Sequence, residues 1–152
     1  MKKNNSNLGM VDISNKSTTQ RIAVAEGTIV FQPQAFKTLI KEGSPKGDVF
    51  ETSKIAGIMA AKSTPSVIPL CHPLSLEEVC IDFEKVMLKH SIKVTSKVRC
   101  SGKTGVEMEA LLAVTAACLT IYDMCKWMGQ DMTITKVCLV HKSGGKSGEF
   151  NR

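Results

Sequence analysis

The chain has 152 residues, a net charge of +6, 43% hydrophobic and 22% charged residues, which fits one globular domain with room for a sizeable core. The charge calls for an anionic partner. With aromatics at only 5% and lysines spread along the chain, a surface that grips single-stranded nucleic acid is disfavoured against a small phosphorylated substrate.

Residues 1 to about 20 are rich in Asn, Ser, Lys and Thr and read as a loose arm. The opening "MKKNNSNLGM" has basic residues but no apolar run behind them, so no secretion signal is expected. "RIAVAEGTIVF" (21–31) reads as two short strand-like runs around Gly27. "PQAFKTLIKEG" (33–43) reads as a helix with Pro33 in its first turn and Gly43 as its cap. "GDVFETSKIAGIMAAK" (47–62) reads as a second helix. Asp48 and Glu51 have capping-box spacing, and small residues at 56, 57, 60 and 61 suit close packing on a neighbour. Thr64-Pro65 ends it.

"SVIPLCHPLSLE" (66–77) is irregular, with prolines bracketing Cys71-His72. "EVCIDFEKV" (78–86) and "SIKVTSKVRC" (91–100) alternate and read as an antiparallel pair. "GVEMEALLAVTAACLTIYDMCKWMG" (105–129) reads as a long helix closed by Gly129, and "MTITKVCLVHK" (132–142) as a last strand. Strands and helices in this order predict an α+β domain, ferredoxin-like, with helices packed on one face of an antiparallel sheet. The longest uncharged apolar stretch, Ala110 to Tyr122, is 13 residues, short of the ~20 of a membrane span. The six cysteines show no Cys-x-x-Cys spacing, so no metal site is expected, and free thiols suit a reducing cytoplasm.

Two stretches mimic a phosphate-binding P-loop. "HKSGGKSGEF" (141–150) has Val140 where the first glycine belongs and too few residues behind it for a helix. "SGKTG" has Lys97 at that place. A flexible, basic, glycine-rich segment remains: either a frayed tail or an arm bringing Lys142 and Lys146 to an anion.

Polar residues in apolar surroundings mark candidate chemistry. Glu107 and Glu109 open the long helix, where carboxylates also simply favour the helix dipole. Asp123 and Lys126, three apart near its end, form either an exposed ion pair or an acid and amine poised for proton transfer. Glu109 and Asp123 share a face within about 40° but sit about 21 Å apart along the axis. Either the two ends do separate jobs, or one subunit's front meets another's back. Hence a homo-oligomer with shared sites is expected. His72 on its proline-braced loop is either a structural histidine or a titratable imidazole. Lys46 in "GSPKGD" is either solvated or presented on a tight turn.

"KGDVF…AGIMAAKSTPSVIPLCHPL", "TGVEMEALLAV", "YDMCKWMG" and "KSGGKSG", taken together and in order, closely resemble the molybdenum-cofactor biosynthesis protein C family, the cyclic pyranopterin monophosphate synthases. The resemblance runs from Met10 to Gly148. Residues 1–9 are left as a flexible arm, 10–148 as a single domain and 149–152 as a frayed end. It implies a ferredoxin-like fold assembled as a hexamer, a trimer of dimers. It implies a phosphorus–oxygen lyase that converts 3′,8-cyclo-7,8-dihydro-GTP to cyclic pyranopterin monophosphate and pyrophosphate. Asp123, Lys126 and Lys46 match the family's catalytic residues. Leu70, Cys71, His72, Glu107, Met108 and Glu109 match substrate-contacting segments, with Arg21, Lys62 and Lys142 completing an anion pocket. No protein-bound cofactor or metal, no nucleic acid and no membrane is implied. A transient contact with the radical enzyme that makes the substrate is. Trp127 departs from the family pattern, where a small residue is expected. The rival reading, a basic RNA-binding module, would need exposed strand aromatics, and only Phe31 and Phe83 are available.

Overall fold

The computed structural model describes residues 8–152. Residues 1–7 of the expected arm lie outside the described residues. The elements run β1 (Thr19–Val30), α1 (Pro33–Glu42), α2 (Val49–Lys62), α3 (Thr64–Val67), β2 (Glu78–Val86), β3 (Ser91–Gly102), α4 (Glu107–Cys125), β4 (Thr133–Ser143) and β5 (Phe150–Asn151). The strands form one antiparallel sheet in the order β2-β3-β1-β4-β5. This is the expected ferredoxin-like α+β arrangement, with α2 and α4 laid over one face.

Alternation builds the covered face. Ala23, Ala25 and Ile29 of β1 and Ile92, Val94, Val98 and Cys100 of β3 are fully buried there. Ser96 joins them because its hydroxyl donates to the Ala110 carbonyl of α4 at 2.7 Å, so a polar group is buried satisfied. Against them α4 sets Ala110, Ala113, Val114, Ala117, Cys118 and Ile121, the inward stripe of a helix repeat. Each large aliphatic buried this way contributes about 1.5–3 kcal/mol.

Small residues decide how close the layers come. Gly27 is not a break between two strands, as the sequence suggested, but an interior position of one continuous β1. A Cβ there would stand 2.5 Å from Val114 Cγ1 and 3.2 Å from Cys118 Sγ, so glycine is what lets α4 sit down on the sheet. Opposite it β4 bulges: Glu26 pairs with Cys138 and Thr28 with Thr135, leaving Lys136 in the left-handed region at φ 55°. Gly57 does the same between helices, since its Cβ would lie 3.0 Å from the Ala113 carbonyl oxygen. With Gly57, Ser53 and Ala61 form the buried side of α2.

The caps follow the sequence with one exception. Asp48 accepts hydrogen bonds from the backbone N–H of Phe50 and Glu51. Glu51 turns outward to Lys54 instead of closing the box. Thr64-Pro65 does not stop the chain at once but starts the four-residue α3, with the Thr64 hydroxyl donating to the Ala61 carbonyl.

Three expectations are corrected. Residues 149–152 are not frayed: Phe150 and Asn151 pair with Lys142 and His141 as β5, an edge pairing too short to leave a periodic signal. The segment behind residue 8 is not simply loose, because Val11, Ile13 and Lys16 form walls of a cleft described below. The 13-residue limit on apolar length also underestimates α4. With the turn after it, Glu107–Met128 is long and apolar enough to cross a membrane by length and composition, yet its inward stripe is consumed by the sheet and α2.

The uncovered sheet face carries charge. Glu78, Asp82 and Glu84 of β2 stand beside Lys93, Lys97 and Arg99 of β3. Lys93 bridges on to Glu26 of β1 at 2.7 Å.

Replacing Gly27 by valine should destabilise the fold by about 1–3 kcal/mol or more through overpacking against Val114. Urea unfolding midpoints measure this, with Gly9→Ala, which meets nothing, as the neutral control.

Candidate active site

The expected residues, Lys62 excepted, gather at the two ends of α4. At its C-terminal end, the turn 43–48 carries Lys46 to Asp123. Gly43 (φ 74°) closes α1 and Gly47 (φ 111°) completes the turn, conformations that suit glycine. The Ser44 hydroxyl donates to the Met124 carbonyl at 2.7 Å and pins the turn to α4. Lys46 Nζ then reaches Asp123 Oδ2 at 2.7 Å, and Lys126 Nζ reaches Oδ1 at 2.8 Å. The two hydrogen bonds, from Lys126 first and Lys46 second, hold the Asp123 carboxyl down to about 2. The Lys126 ammonium is correspondingly held above its usual range, chiefly by its bond to Asp123. All three side chains are about half exposed, so the cluster faces outward with two ammonium groups locked on one carboxylate. The solitary Trp127 follows, half exposed, in a tight turn after Lys126. No contact in the structure explains why a large side chain stands there.

At the N-terminal end, Leu70, Cys71 and His72 meet Glu107, Met108 and Glu109 around a cleft of about 300 Å³. Glu109 is 3% exposed, and burial raises its carboxyl above the ordinary range, with the Glu107 charge adding to it. It is the group here best suited to hold a proton. Burial, then the Glu109 charge, also raises the Cys71 thiol, which disfavours a thiolate nucleophile.

A second cleft of about 950 Å³ continues from the first through shared walls at Lys16, Thr104, Gly105 and Glu107. It is lined by Lys16, Arg21, Lys103 and Lys146, a cationic surface for an anion. Arg21 is nearly buried. Its guanidinium donates to the carbonyls of Gly102 at 3.3 Å and Gly144 at 3.2 Å. A Cβ at Gly145 would overlap that guanidinium, so the glycine-rich stretch is what admits the arginine. Lys142 pairs with Glu107 at 3.3 Å and donates to the Ser147 hydroxyl at 3.2 Å.

Arg21 and Lys142 thus stand with the Glu107 group. Lys62 does not: it lines a separate shallow cleft with Ile58, Leu76, Glu77 and Glu78, behind the Leu74 wall. Asp123, Lys126 and Lys46 are absent from both joined clefts, as the intervening length of α4 requires. Sequence reasoning missed Lys16 and Lys103 as lining residues. Lys103 Nζ donates to the Ser14 carbonyl at 2.8 Å and folds the 11–17 segment over the cleft. The near P-loop "SGKTG" was the available signal. The rival RNA surface lacks its aromatics: Phe31 is buried 5.9 Å from Phe36, and Phe83 packs 5.3 Å from Phe50.

Two titrations follow. Asp123 is depressed from 3.8, so its pairing should be fully present above about pH 4 and lost as pH falls through about 2. Carboxyl carbon NMR should place its midpoint near 2, and Lys126→Met should move it up. Glu109 has the opposite sign. Its folded form holds the proton more tightly, so stability should fall as pH rises from 4.5 through the raised folded value. Glu109→Gln should therefore melt higher than wild type at pH 7, with the difference shrinking toward pH 4.

The sequence profile of the MoaC family matches residues 10–145. A cyclic pyranopterin monophosphate synthase of Desulfatibacillum aliphaticivorans is 52% identical over 93% of this chain and 89% of its own. The protein of that name from Helicobacter pylori (strain HPAG1) is 51% identical over 93% and 90%. The one from Pelotomaculum thermopropionicum is 49% identical over 94% and 84%. With its fold, its paired clusters and this likeness over nearly its whole length, the chain belongs to the MoaC family.

Proposed function

We propose that the chain converts 3′,8-cyclo-7,8-dihydro-GTP to cyclic pyranopterin monophosphate and pyrophosphate, a step of molybdenum cofactor biosynthesis, in the cytoplasm. The observation that carries this reading is the continuous cleft from a proton-holding carboxyl, Glu109, to a cationic end lined by Arg21, Lys103 and Lys146, with Lys142 bonded to the lining residues Glu107 and Ser147. Such a cleft suits a heterocycle at one end and a triphosphate at the other. The relatives' name supplies the product.

The chemistry has two parts. Rearranging the purine ring moves protons, which needs groups of opposed protonation held in place. Glu109 favours its protonated form, His72 stands beside it, and Asp123 stays ionised between two ammonium groups that can donate. Forming the cyclic monophosphate requires a hydroxyl of the sugar to attack the inner phosphorus while pyrophosphate leaves with the bridging oxygen. Charge grows on the leaving group, and Arg21 and Lys142 would stabilise it. A Mg²⁺ carried in by the triphosphate is compatible with this arrangement.

Both clusters act on one substrate only if two chains share a site. The outer face of α4 supports that assembly. Met108, Leu112, Ala116 and Leu119 form a stripe away from the core, and Leu119 is 55% exposed. A two-fold axis near Ala116, midway between 109 and 123, would set two α4 helices antiparallel. Glu109 of each would then approach the partner copy's Asp123 end. Three such dimers would make the hexamer.

Purified protein incubated with 3′,8-cyclo-7,8-dihydro-GTP should release pyrophosphate and the pyranopterin product. Asp123→Asn and Lys46→Ala should each lose turnover at least about 100-fold while keeping the fold. Mixed after denaturation and refolding, inactive Asp123→Asn and Lys142→Ala chains should recover about a quarter of wild-type activity, because half the dimers then hold one intact site. No recovery would refute the shared site, and no product from folded wild type would refute the reaction.

A further inference from the structure

We infer that the C-terminal hairpin is a positioning device for the anion site. Pairing of residues 149–152 along β4 sets the glycine loop 144–148, with Lys146 and Ser147, over the cleft. The pairing residues 149–152 lie beyond the family match, which ends at 145.

The hairpin is held at its base and glycine-rich at its tip. At the base, Phe150 and Asn151 pair with Lys142 and His141. Arg152 adds a backbone N–H to the Val140 carbonyl at 3.0 Å and its Nε to the Leu139 carbonyl at 3.0 Å. Asn151 Oδ1 lies 2.8 Å from His141 Nδ1, and Asn151 Nδ2 donates to Glu149 at 3.1 Å. At the tip, Gly144, Gly145 and Gly148 hold positive φ angles of 96°, 75° and 68°. The Gly148 N–H donates to the Gly145 carbonyl at 3.2 Å, Arg21 bonds the Gly144 carbonyl, and Lys142 bonds Ser147. Gly145, Lys146 and Ser147 then line the larger cleft.

Physical chemistry gives the base its function. A stretch with three glycines is among the most expensive backbones to order, since glycine loses the most freedom on folding. With one end loose, an arriving anion would have to supply that ordering itself, at the expense of affinity. Fixing both ends at strand spacing confines the loop beforehand. The pairing therefore acts on how tightly the phosphates are held and leaves the proton-transfer groups at Glu109 and Asp123 untouched. Asn151 and Arg152 are positioning residues in this sense: each acts through the loop and neither lines the cleft. What fills the cleft rests on the substrate reading above.

The test compares wild type, Asn151→Ala, the double variant Asn151→Ala/Arg152→Ala, and a chain terminated after Gly148. Calorimetric titration with inorganic triphosphate reads the anion site without any turnover. The terminated chain should bind triphosphate about tenfold more weakly, with the point variants between it and wild type. With 3′,8-cyclo-7,8-dihydro-GTP, KM should rise by a similar factor while kcat stays within about twofold. Hydrogen exchange at the Gly144–Gly148 amides should quicken. A merely structural role would instead lower kcat and the melting temperature together. If the terminated chain does not fold, the double variant decides by the same readouts. Unchanged triphosphate affinity, or a fall in kcat with KM constant, overturns the inference, as does wild type that binds no triphosphate. Wild type that binds triphosphate but turns nothing over defeats the substrate reading alone, and the affinity comparison still decides the hairpin's role.

Discussion

The close approach of α4 to the sheet over Gly27 is the constraint from which the site descends. Its 19 residues make a rod about 29 Å long, buried along one side against β1, β3 and α2. Such a rod can neither bend nor slide without opening the core. Whatever is attached to its two ends is held at fixed separation. Glu107 and Glu109 are attached to one end, and Asp123 to the other. The turn at 43–48 is tied to that far end by Ser44, so Lys46 inherits the same rigidity. The fixed separation of the two clusters is thus a by-product of packing small residues at positions 27, 57, 110, 113 and 117.

The helix carries two carboxyl groups in opposite electrostatic situations. Asp123 is exposed and bonded to two cations, which favours its charge. Glu109 is buried with a like charge nearby, which disfavours it. Divergence of this kind lets one element supply both an acid and an anionic anchor. It also explains a cost to the fold: Glu109 has no cationic partner among the described residues, and a buried carboxyl so placed does not stabilise a core. Core thiols show what burial does where no chemistry is asked. Cys118 and Cys125 are pushed up to about 12 and about 11 by desolvation alone and behave as small apolar groups.

Much of this was legible in the residues because local signals and tertiary needs agree. Pro33 and Gly43 bound α1, Asp48 starts α2, and alternation marks β2 and β3 correctly. The 14-residue spacing between Glu109 and Asp123 already separated the clusters. Other features have no local signature. Gly27 reads as a strand breaker because glycine usually weakens strands, whereas here the need for it comes from Val114, far away in sequence. The two-residue β5 depends on β4 for its partner and on nothing in its own pattern. Lys16 and Lys103 line the cleft through a bond from Lys103 to the backbone of Ser14, which no spacing rule reports. Lys62 shares a motif with the substrate segments but points past the Leu74 wall, a matter of side-chain direction that sequence proximity does not fix.

The charged outer face of the sheet bears on how copies can meet. β2 is an edge strand, and an edge strand offers unpaired backbone groups to any similar strand. Two β2 strands laid antiparallel about Asp82 would set Asp82 against itself, with Glu78 and Glu84 of both copies close by. Like charges directly opposite are destabilising in such a ladder. The acidic row therefore discourages growth of the sheet sideways into a fibre. Any association of copies would be left to surfaces without that penalty, such as the apolar outer stripe of α4.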